Sequence, residues 1–203
     1  MPRLFILSGC NGSGKTTASY SLLPDLIGCS ELVNSDEFAK SLSPFNPSAA
    51  SVMASRYMLM KIKYMLSRKA DFIIETTLAT RSLMNTINEA KSLGYEVTLL
   101  YFWLNSVDLA IKRVKKRVES GGHNIPEEVI RRRYVMGVKY FFEIYAPIVD
   151  RWVLADNSKT PFAVVAEGTQ NNIQIKDEEK YACIRNICYP EEPVGESDPG
   201  STT

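Results

Sequence analysis

The hydrophobic positions of this chain alternate between short apolar runs and longer segments with helical periodicity. Short runs rich in β-branched and aromatic residues predict strands, and apolar residues spaced three and four apart predict helices. Strands are predicted at RLFIL (3–7), ELVN (31–34), DFIIE (71–75), VTLLYFWL (97–104) and RWVLA (151–155). Helices are predicted from Lys15 and over about 48–68, 81–93, 106–119 and 126–149. This alternation is typical of an α/β fold, with a parallel sheet covered by helices on both faces.

The C-terminal part of the chain departs from this alternation. FAVVAEG (162–168) predicts an edge strand, and NIQIKDEEKYACIRNICY (172–189) predicts a terminal strand followed by a short helix. The final residues, 190–203, are rich in Pro, Gly and acidic side chains, which predicts a disordered tail. We therefore expect a single folded domain over residues 1–189.

The composition excludes several classes of function. The chain has 203 residues, with 24 Lys and Arg against 23 Asp and Glu, so no overall field attracts it to nucleic acid or an anionic membrane. Its apolar runs are too short to span a bilayer, and its N-terminus lacks the regions of a signal peptide. Four cysteines form no CxxC pair and His123 is the only histidine, which excludes a zinc finger. We expect a cytoplasmic protein with no nucleic-acid or membrane partner.

A phosphate-binding motif lies between the first predicted strand and the first predicted helix. SGCNGSGKTT (8–17) contains Gly9, four further residues and then Gly14-Lys15-Thr16, which is the Walker A spacing. In this motif backbone N–H groups surround the phosphates, the lysine reaches the outer ones and the Thr16 hydroxyl binds Mg²⁺. Gly12 and Gly14 let the backbone approach the anion without a Cβ in the way. The predicted nucleotide-binding residues are Asn11, Gly12, Ser13, Gly14, Lys15, Thr16 and Thr17.

Other motifs narrow the class of P-loop protein. No Asn-Lys pair occurs, so the guanine-reading motif of GTPases is absent. DLIG (25–28) matches a switch pattern formally, but it ends the first predicted helix and does not follow a strand. No apolar strand ends in the Asp-Glu pair of motors and transport ATPases. The kinase-like branch remains: a three-layer P-loop fold with a mostly parallel sheet, flanking helices and a helical lid, using ATP and Mg²⁺.

Acidic residues follow two of the predicted strands, where ligands of an open parallel sheet bind. Asp36 follows ELVN and is suited to accept a proton from a substrate hydroxyl; the alternative is that Asp36 caps a helix, although Ser35 could equally be the cap and leave Asp36 free. Glu75 ends a fully apolar strand, so its carboxylate needs a metal, a cation or a substrate hydroxyl. Thr76 or Thr77 is expected in the same pocket, with Thr76 preferred, and Arg81 either pairs with Glu75 or grips a substrate phosphate.

Basic residues surround SGGHNIP (120–126), which separates two predicted helices and indicates a lid over about 106–135. Phosphoryl transfer needs cations around the migrating group. Arg117 is preferred because it lies at the near edge of the lid, and Arg133 because helical periodicity places it nearer the buried side than Arg132. His123 is a further phosphate-binding candidate, although an exposed histidine is often only solvated.

With these residues in place, the sequence resembles the zeta toxin-like P-loop kinases. The matching pieces run in order from residue 4 to about 160. They are SGCNGSGKTT, ELVNSDEFAKSLSPFNPSAAS, FIIETTLATRS, GYEVTLLYFWLNSVDLAIKRVKKRVESGGHNIPEEVIRRRY and DRWVLADNS. Toxins of this family use ATP to phosphorylate the sugar 3′-hydroxyl of UDP-N-acetylglucosamine, and a separate antitoxin protein is their partner.

The resemblance implies roles for individual residues. Asp36 corresponds to the base, Glu75 and Arg81 face the sugar nucleotide, and Arg117 is a lid arginine. Asn157, within DNS (156–158), falls in the loop beside the adenine. The toxins carry a second lid arginine just before the helix-opening proline, whereas this chain has GGHNIP. Either His123 or an arginine of RRRY (131–134) takes that role.

Two other functions are compatible with the same motifs. One is a kinase of nucleosides, nucleotides or other metabolites, and the other is a regulator that binds ATP without turning it over. A third alternative is that the lid is a partner-binding surface. A kinase needs Asp36 and a passive binder does not.

Overall fold

A computed structural model of the chain describes residues 1–21, 28–44, 46–122 and 124–188. A 7-stranded sheet lies at its centre. The strands are β1 (Arg3–Ser8), β2 (Leu32–Val33), β3 (Phe72–Thr76), β4 (Glu96–Trp103), β5 (Arg151–Asp156), β6 (Ala163–Gly168) and β7 (Ile173–Ile175). The helices are α1 (Lys15–Ser21), α2 (Ser35–Leu42), α3 (Ser51–Ser67), α4 (Leu83–Ser92), α5 (Val107–Glu119), α6 (Glu127–Tyr140) and α7 (Glu178–Asn186).

The sheet has the strand order β2-β3-β1-β4-β5-β6-β7. The pairs β2–β3, β3–β1, β1–β4 and β4–β5 are parallel, whereas β6 and β7 are added in antiparallel orientation. From β1 the chain passes to one side, through β2 and β3, and then crosses to β4 on the other side. The strand order therefore reverses beside β1, and ligands of open α/β sheets bind at such a point. The mostly parallel α/β architecture predicted from the sequence is confirmed.

The apolar strands are buried because both faces of the sheet are covered. On one face Leu4 and Ile6 of β1 pack into the large core cluster, and on the other Leu7 packs with Ile73 and Phe102. All three β1 side chains have no exposed surface. Near-continuous apolar runs are what parallel strands need, since no face of the sheet is left to water. None of the described helices is both long and apolar enough to cross a membrane.

Two local predictions differ from the structure. The strand over residues 163–168 is not an edge strand, because β7 pairs with it on the far side of the sheet. The predicted helix over 126–149 ends as an α-helix at Tyr140 and continues as a π-helical turn, Phe141–Tyr145. This turn directs Phe141 and Tyr145 into the core, where both are fully buried. Residues 190–203, predicted to form a disordered tail, and most of DLIG lie outside the described residues.

One buried thiol makes stability depend on pH. Cys10 follows β1, and burial raises the pKa of its thiol from 9.0 to about 11. Below pH 9 the thiol is protonated in both the folded and the unfolded chain. Between pH 9 and about 11 only the unfolded chain ionises, so the free energy of unfolding falls, on the order of 2 kcal/mol for a shift of this size.

We therefore expect wild type to lose more stability than Cys10→Ala between pH 8.5 and pH 10.5. Urea unfolding of the two proteins at both pH values measures this difference. The comparison removes changes that both proteins share. Equal losses would show that Cys10 does not contribute.

Candidate active site

The Walker A loop after β1 packs closely against two neighbouring segments. Gly12 has a φ of +82° and Gly14 a φ of +91°, in the left-handed region that favours glycine. A Cβ at Gly12 would lie 2.6 Å from the carbonyl oxygen of Ala110 in α5, and one at Gly14 would lie 2.3 Å from Nδ2 of Asn157. The fold of the loop therefore requires both glycines, in addition to the anion approach predicted from the sequence.

Lys15 is buried at the start of α1 and turns back over its own loop. Its Nζ donates to the carbonyl oxygens of Gly9, at 2.8 Å, and Cys10, at 2.9 Å. Burial lowers the pKa of Lys15, and the negative charges of Glu75 and Asp36 oppose that change. The ammonium group thus lies among carbonyl oxygens and carboxylates, in a place where phosphate oxygens would be strong acceptors.

A hydrogen-bonded group joins the ends of three segments. Oε1 of Glu75 accepts from the Thr16 hydroxyl at 2.8 Å, and Oε2 accepts from Nδ2 of Asn34 at 2.9 Å. Glu75 is brought here because β3 pairs with β1, with Glu75 in register with Leu7. The Glu75 carboxylate, for which the sequence offered Arg81 as one partner, is therefore bonded to Thr16 and Asn34. Asn34 was not predicted; its position directly after β2 was the only signal available.

Asp36 lies in the first turn of α2, and its side chain is not used to cap that helix. Asn34 is the N-cap, since its side chain accepts from the backbone N–H of Asp36 at 2.8 Å. The alternative that Asp36 caps the helix is therefore wrong, and the cap that leaves Asp36 free is Asn34 and not Ser35. The carboxylate of Asp36 is exposed and lines the same cleft as Lys15. It is therefore accessible to a molecule bound in the cleft.

Arg133 connects α6 to the Walker A loop. Its guanidinium donates to Oδ1 of Asn11 at 2.9 Å. Burial lowers the pKa of Arg133, while the negative charge of Asp36 acts in the opposite direction. Arg132, the next residue, is exposed and does not line the cleft. The placement of Arg133 nearer the core thus agrees with the helical period.

The segment after β5 forms the other side of the loop. Nδ2 of Asn157 donates to the carbonyl oxygen of Ser13 at 2.7 Å. Arg113 of α5 holds this segment by donating to the carbonyl oxygens of Asn157, at 3.0 Å, and Ser158, at 2.9 Å. Thr160, Pro161 and Phe162 continue the wall of the cleft. The sequence analysis selected Asn157 but passed over Arg113, whose charge was one among many in that helix.

These residues surround one cleft of about 1000 Å³. We call the part lined by the Walker A loop, Arg113, Arg117, Asn157 and residues 160–162 the nucleotide half. The other part, which we call the acceptor half, is lined by hydroxyl and apolar side chains of α3, of the segment after β3 and of α4. These are Ser55, Met58, Leu59, Ile62, Thr76, Thr77, Thr80, Ser82, Leu83 and Thr86. The cleft is large enough for two substrates.

Arg81, which was predicted to face the substrate, does not line the cleft; its guanidinium lies over the ring of Tyr140, 5.6 Å from the ring centroid. His123 lies outside the described residues. Arg117 does line the cleft, and its positive charge contributes to the lowered pKa of Lys15. Thr76 and Thr17 line it as well.

A comparison with protein families identifies the N-terminal two thirds of the chain. The model of an AAA domain family matches residues 4–134. The chain belongs to this AAA domain family. The match extends from β1 into α6, so it includes the Walker A loop, Asp36, Glu75 and the two arginines Arg117 and Arg133.

This AAA domain chain has a relative in Haemophilus influenzae. That protein, described as uncharacterized, is 34% identical over 126 residues, which are 62% of this chain and 88% of the relative. The description of this relative adds no function.

Solved structures share the fold of this AAA domain chain. The complex AvrRxo1-ORF1:AvrRxo1-ORF2 with sulphate ions has a chain with TM-score 0.74 and 19% identity, covering 96% of this chain and 66% of that one. The same complex with ATP has a chain with TM-score 0.73 and 20% identity, and the match covers 96% of this chain and 65% of that one. The structure of the PezAT chromosomal toxin-antitoxin system of Streptococcus pneumoniae has a chain with TM-score 0.68 and 18% identity, and the match covers 96% of this chain and 81% of that one. This chain thus spans just under two thirds of the AvrRxo1 chains, and these likenesses show a common α/β P-loop fold.

Proposed function

We propose that this protein is an ATP- and Mg²⁺-dependent phosphotransferase that moves the γ-phosphate of ATP to a hydroxyl of a small molecule. The grouping of charges in one cleft carries the proposal: Lys15, Arg117, Arg133 and the accessible carboxylate of Asp36 all line it. Phosphoryl transfer needs cations around the migrating group and a carboxylate for the acceptor proton. A site that only bound nucleotide would not need the carboxylate.

The residues at the loop fit a magnesium ion. Mg²⁺ prefers oxygen ligands, and the Thr16 hydroxyl and the Glu75 carboxylate already meet at 2.8 Å. Thr16 would hold the ion directly, and Glu75 would orient Thr16 or bind water on the ion. When bound, Mg²⁺ neutralises phosphate charge during transfer. Asn34 keeps the Glu75 carboxylate in place through its second oxygen.

The roles of the remaining residues follow from their positions. Asp36 accepts the proton of the acceptor hydroxyl, because Asn34 caps α2 and leaves this carboxylate exposed to the cleft. Lys15 leaves the carbonyl oxygens of its loop and binds the outer phosphates. Arg117 and Arg133 stabilise charge on the transferred group. Asn157 and Arg113 shape the side of the cleft proposed for the adenine.

A UDP-amino sugar such as UDP-N-acetylglucosamine is the acceptor that we propose first, on the resemblance to the zeta toxin-like kinases. The acceptor half supports a hydroxyl-rich ligand with an apolar part, since threonine and serine side chains alternate there with Met58, Ile62 and Leu83. In the same proposal Glu75 and Thr76 face the sugar. A separate antitoxin is the corresponding protein partner; the PezAT structure is described as a toxin-antitoxin system.

Mass spectrometry after incubation with ATP and Mg²⁺ tests the activity. The panel contains UDP-N-acetylglucosamine, other UDP-sugars, nucleosides and small polyols. We expect one acceptor to gain the mass of a phosphate, with ADP formed in equal amount. ATP binding without any phosphorylated product across the panel would favour the regulator instead. Phosphorylation of a nucleoside alone would support the phosphotransferase activity and show that the acceptor is a nucleoside and not a UDP-amino sugar.

Arg133 and Arg132 form a matched pair for the cation role. Arg133→Met is expected to lower transfer roughly 10²- to 10³-fold, because a cation is removed from beside the migrating group. Arg132→Met removes an equal charge from the exposed side of α6 and should change the rate little. Initial rates with the acceptor found in the panel measure both. Equal losses in the two variants would show that only the general charge of the helix matters.

A further inference from the structure

The outward face of α3 carries apolar side chains that nothing in the described fold covers. Met53, Tyr57, Met60 and Tyr64 are 56%, 46%, 65% and 57% exposed. They recur at intervals of four, three and four residues, so they form one line along the helix, which we call the outer stripe. Single exposed apolar residues are common on protein surfaces, but a contiguous line marks an interaction site.

The fold does not need the outer stripe. The opposite side of α3 supplies the contacts with the core through Ala54, Ile62, Met65 and Leu66, all of which are buried. The helix therefore has one apolar side for the core and a second one facing outward. A helix that only packed against the sheet would present polar residues there.

A shallow groove runs beside the outer stripe. Tyr57, Met60 and Tyr64 line it together with Phe38 of α2, Met65 of α3 and Ala70, which follows α3. Lys61 and Arg68 stand at its edge: Lys61 pairs with Glu31 at 3.0 Å, and Arg68 lies 5.6 Å from the ring centroid of Tyr64. The apolar side chains that line the groove and the cationic side chains at its edge thus belong to one continuous surface.

The charges that α3 itself places beside the outer stripe have one sign, while Glu31, which lies before β2, lines the groove and pairs with Lys61. Arg56 and Lys63 follow one side of it by helical position, and Lys61 and Arg68 follow the other. Residues 51–70 contain no Asp or Glu. Arg56 and Lys63 have no acidic partner in the part of the chain that the structure describes. Two rows of cations around an apolar line are complementary to an apolar surface bordered by carboxylates.

This pattern distinguishes between occupants. A second copy of the chain would bring the same cationic rows together, which repel each other. A flat lipid surface would not fill a groove whose wall is formed by α2. An amphipathic helix fills such a groove with its apolar side and places acidic residues against the flanking cations. The outer stripe extends over about 17 Å, the length of three helical turns.

We propose that the outer stripe and its groove are the docking surface for an acidic amphipathic helix of a partner protein. The helix binds with apolar residues against Met53, Tyr57, Met60 and Tyr64 and with carboxylates beside Arg56, Lys61, Lys63 and Arg68. The surface is separate from the nucleotide half of the cleft, so the proposal holds whether or not the protein is a phosphotransferase.

Two synthetic helical peptides of equal length test the proposal. Both carry leucines at i, i+3, i+4 and i+7, and the other positions are glutamate in one and lysine in the second. Fluorescence anisotropy should show binding of the glutamate peptide, weakened by salt, and no comparable binding of the lysine peptide. Hydrogen exchange should slow over residues 52–68 when the glutamate peptide is bound.

Two double variants test whether the glutamate peptide binds at the outer stripe. Tyr57→Ser with Met60→Ser should weaken binding of the glutamate peptide roughly tenfold or more. Val135→Ser with Ile173→Ser, which alters residues 42% and 54% exposed on other elements, should leave it unchanged. ATP affinity of both variants serves as the check of folding. The proposal is overturned by absent or equal binding of the two peptides, by wild-type affinity in the stripe variant, or by preferential binding of the native chain to phosphatidylglycerol vesicles.

Discussion

Asp36→Asn is expected to lower phosphoryl transfer by about 10²- to 10⁴-fold, the usual contribution of a general base. The amide has nearly the same shape but does not accept a proton from the acceptor hydroxyl. ATP affinity should hardly change, because the carboxylate of Asp36 lines the cleft but has no hydrogen to donate to the phosphates of ATP. The backbone N–H of residue 36 still donates to Asn34, so the N-terminus of α2 is preserved. Single-turnover transfer and calorimetric ATP binding measure the two effects separately.

Glu37→Gln is the matched control for this variant. Glu37 is the next residue of α2, and its carboxylate pairs with Lys40 at 2.8 Å, on the exposed side of the helix. Its loss should leave transfer within a small factor of wild type. Equal losses of transfer and ATP binding in Asp36→Asn would assign Asp36 to the metal or to the fold. Unchanged transfer would remove it from the mechanism.

Lys15→Ala is expected to weaken ATP binding roughly 10- to 100-fold, the value of one charge-assisted hydrogen bond to phosphate. Transfer should fall further, by about 10²- to 10³-fold, because the lysine also stabilises charge on the migrating group. ADP, which lacks the outer phosphate, should lose less affinity than ATP. Calorimetry with both nucleotides, followed by rate measurements at saturating ATP, gives these quantities.

Lys112→Ala removes an exposed lysine from α5, which packs beside the Walker A loop. It should bind ATP like wild type, which separates the effect of Lys15 from a change in total charge. Far-ultraviolet circular dichroism of Lys15→Ala shows whether the loop and α1 still fold. Unchanged ATP affinity in a folded Lys15→Ala protein would contradict the phosphate-binding role of the loop.

The sequence predicted the fold well where periodicity is strong. The β1, β3, β4 and β5 strands have mainly apolar centres, because parallel strands are buried on both faces. The prediction was weaker where pairing partners decide the outcome. Nothing local to residues 163–168 indicates that β7 will cover the outer edge of β6, since strand order depends on contacts between distant segments.

The candidate site shows the same division. The Walker A spacing identified the loop because every residue in it is contiguous, and the helical period of α6 separated Arg133 from Arg132. Asn34 and Arg113 were missed because their partners, Glu75 and the carbonyl oxygens of Asn157 and Ser158, lie 41 to 45 residues away in the chain. An isolated Asn or Arg carries no signal of such a contact.

The sequence by itself determined that this chain has a phosphate-binding loop between a buried strand and a helix, because the loop's chemistry is local. Only the tertiary structure decided that Glu75 accepts a hydrogen bond from Thr16 and that Asn34, and not Asp36, caps α2. It also decided that Arg81 lies over Tyr140, outside the cleft. The physical reason is that the pairing of β3 with β1 and the packing of α6 set these distances. These distances cannot be inferred from the order of the residues in the sequence.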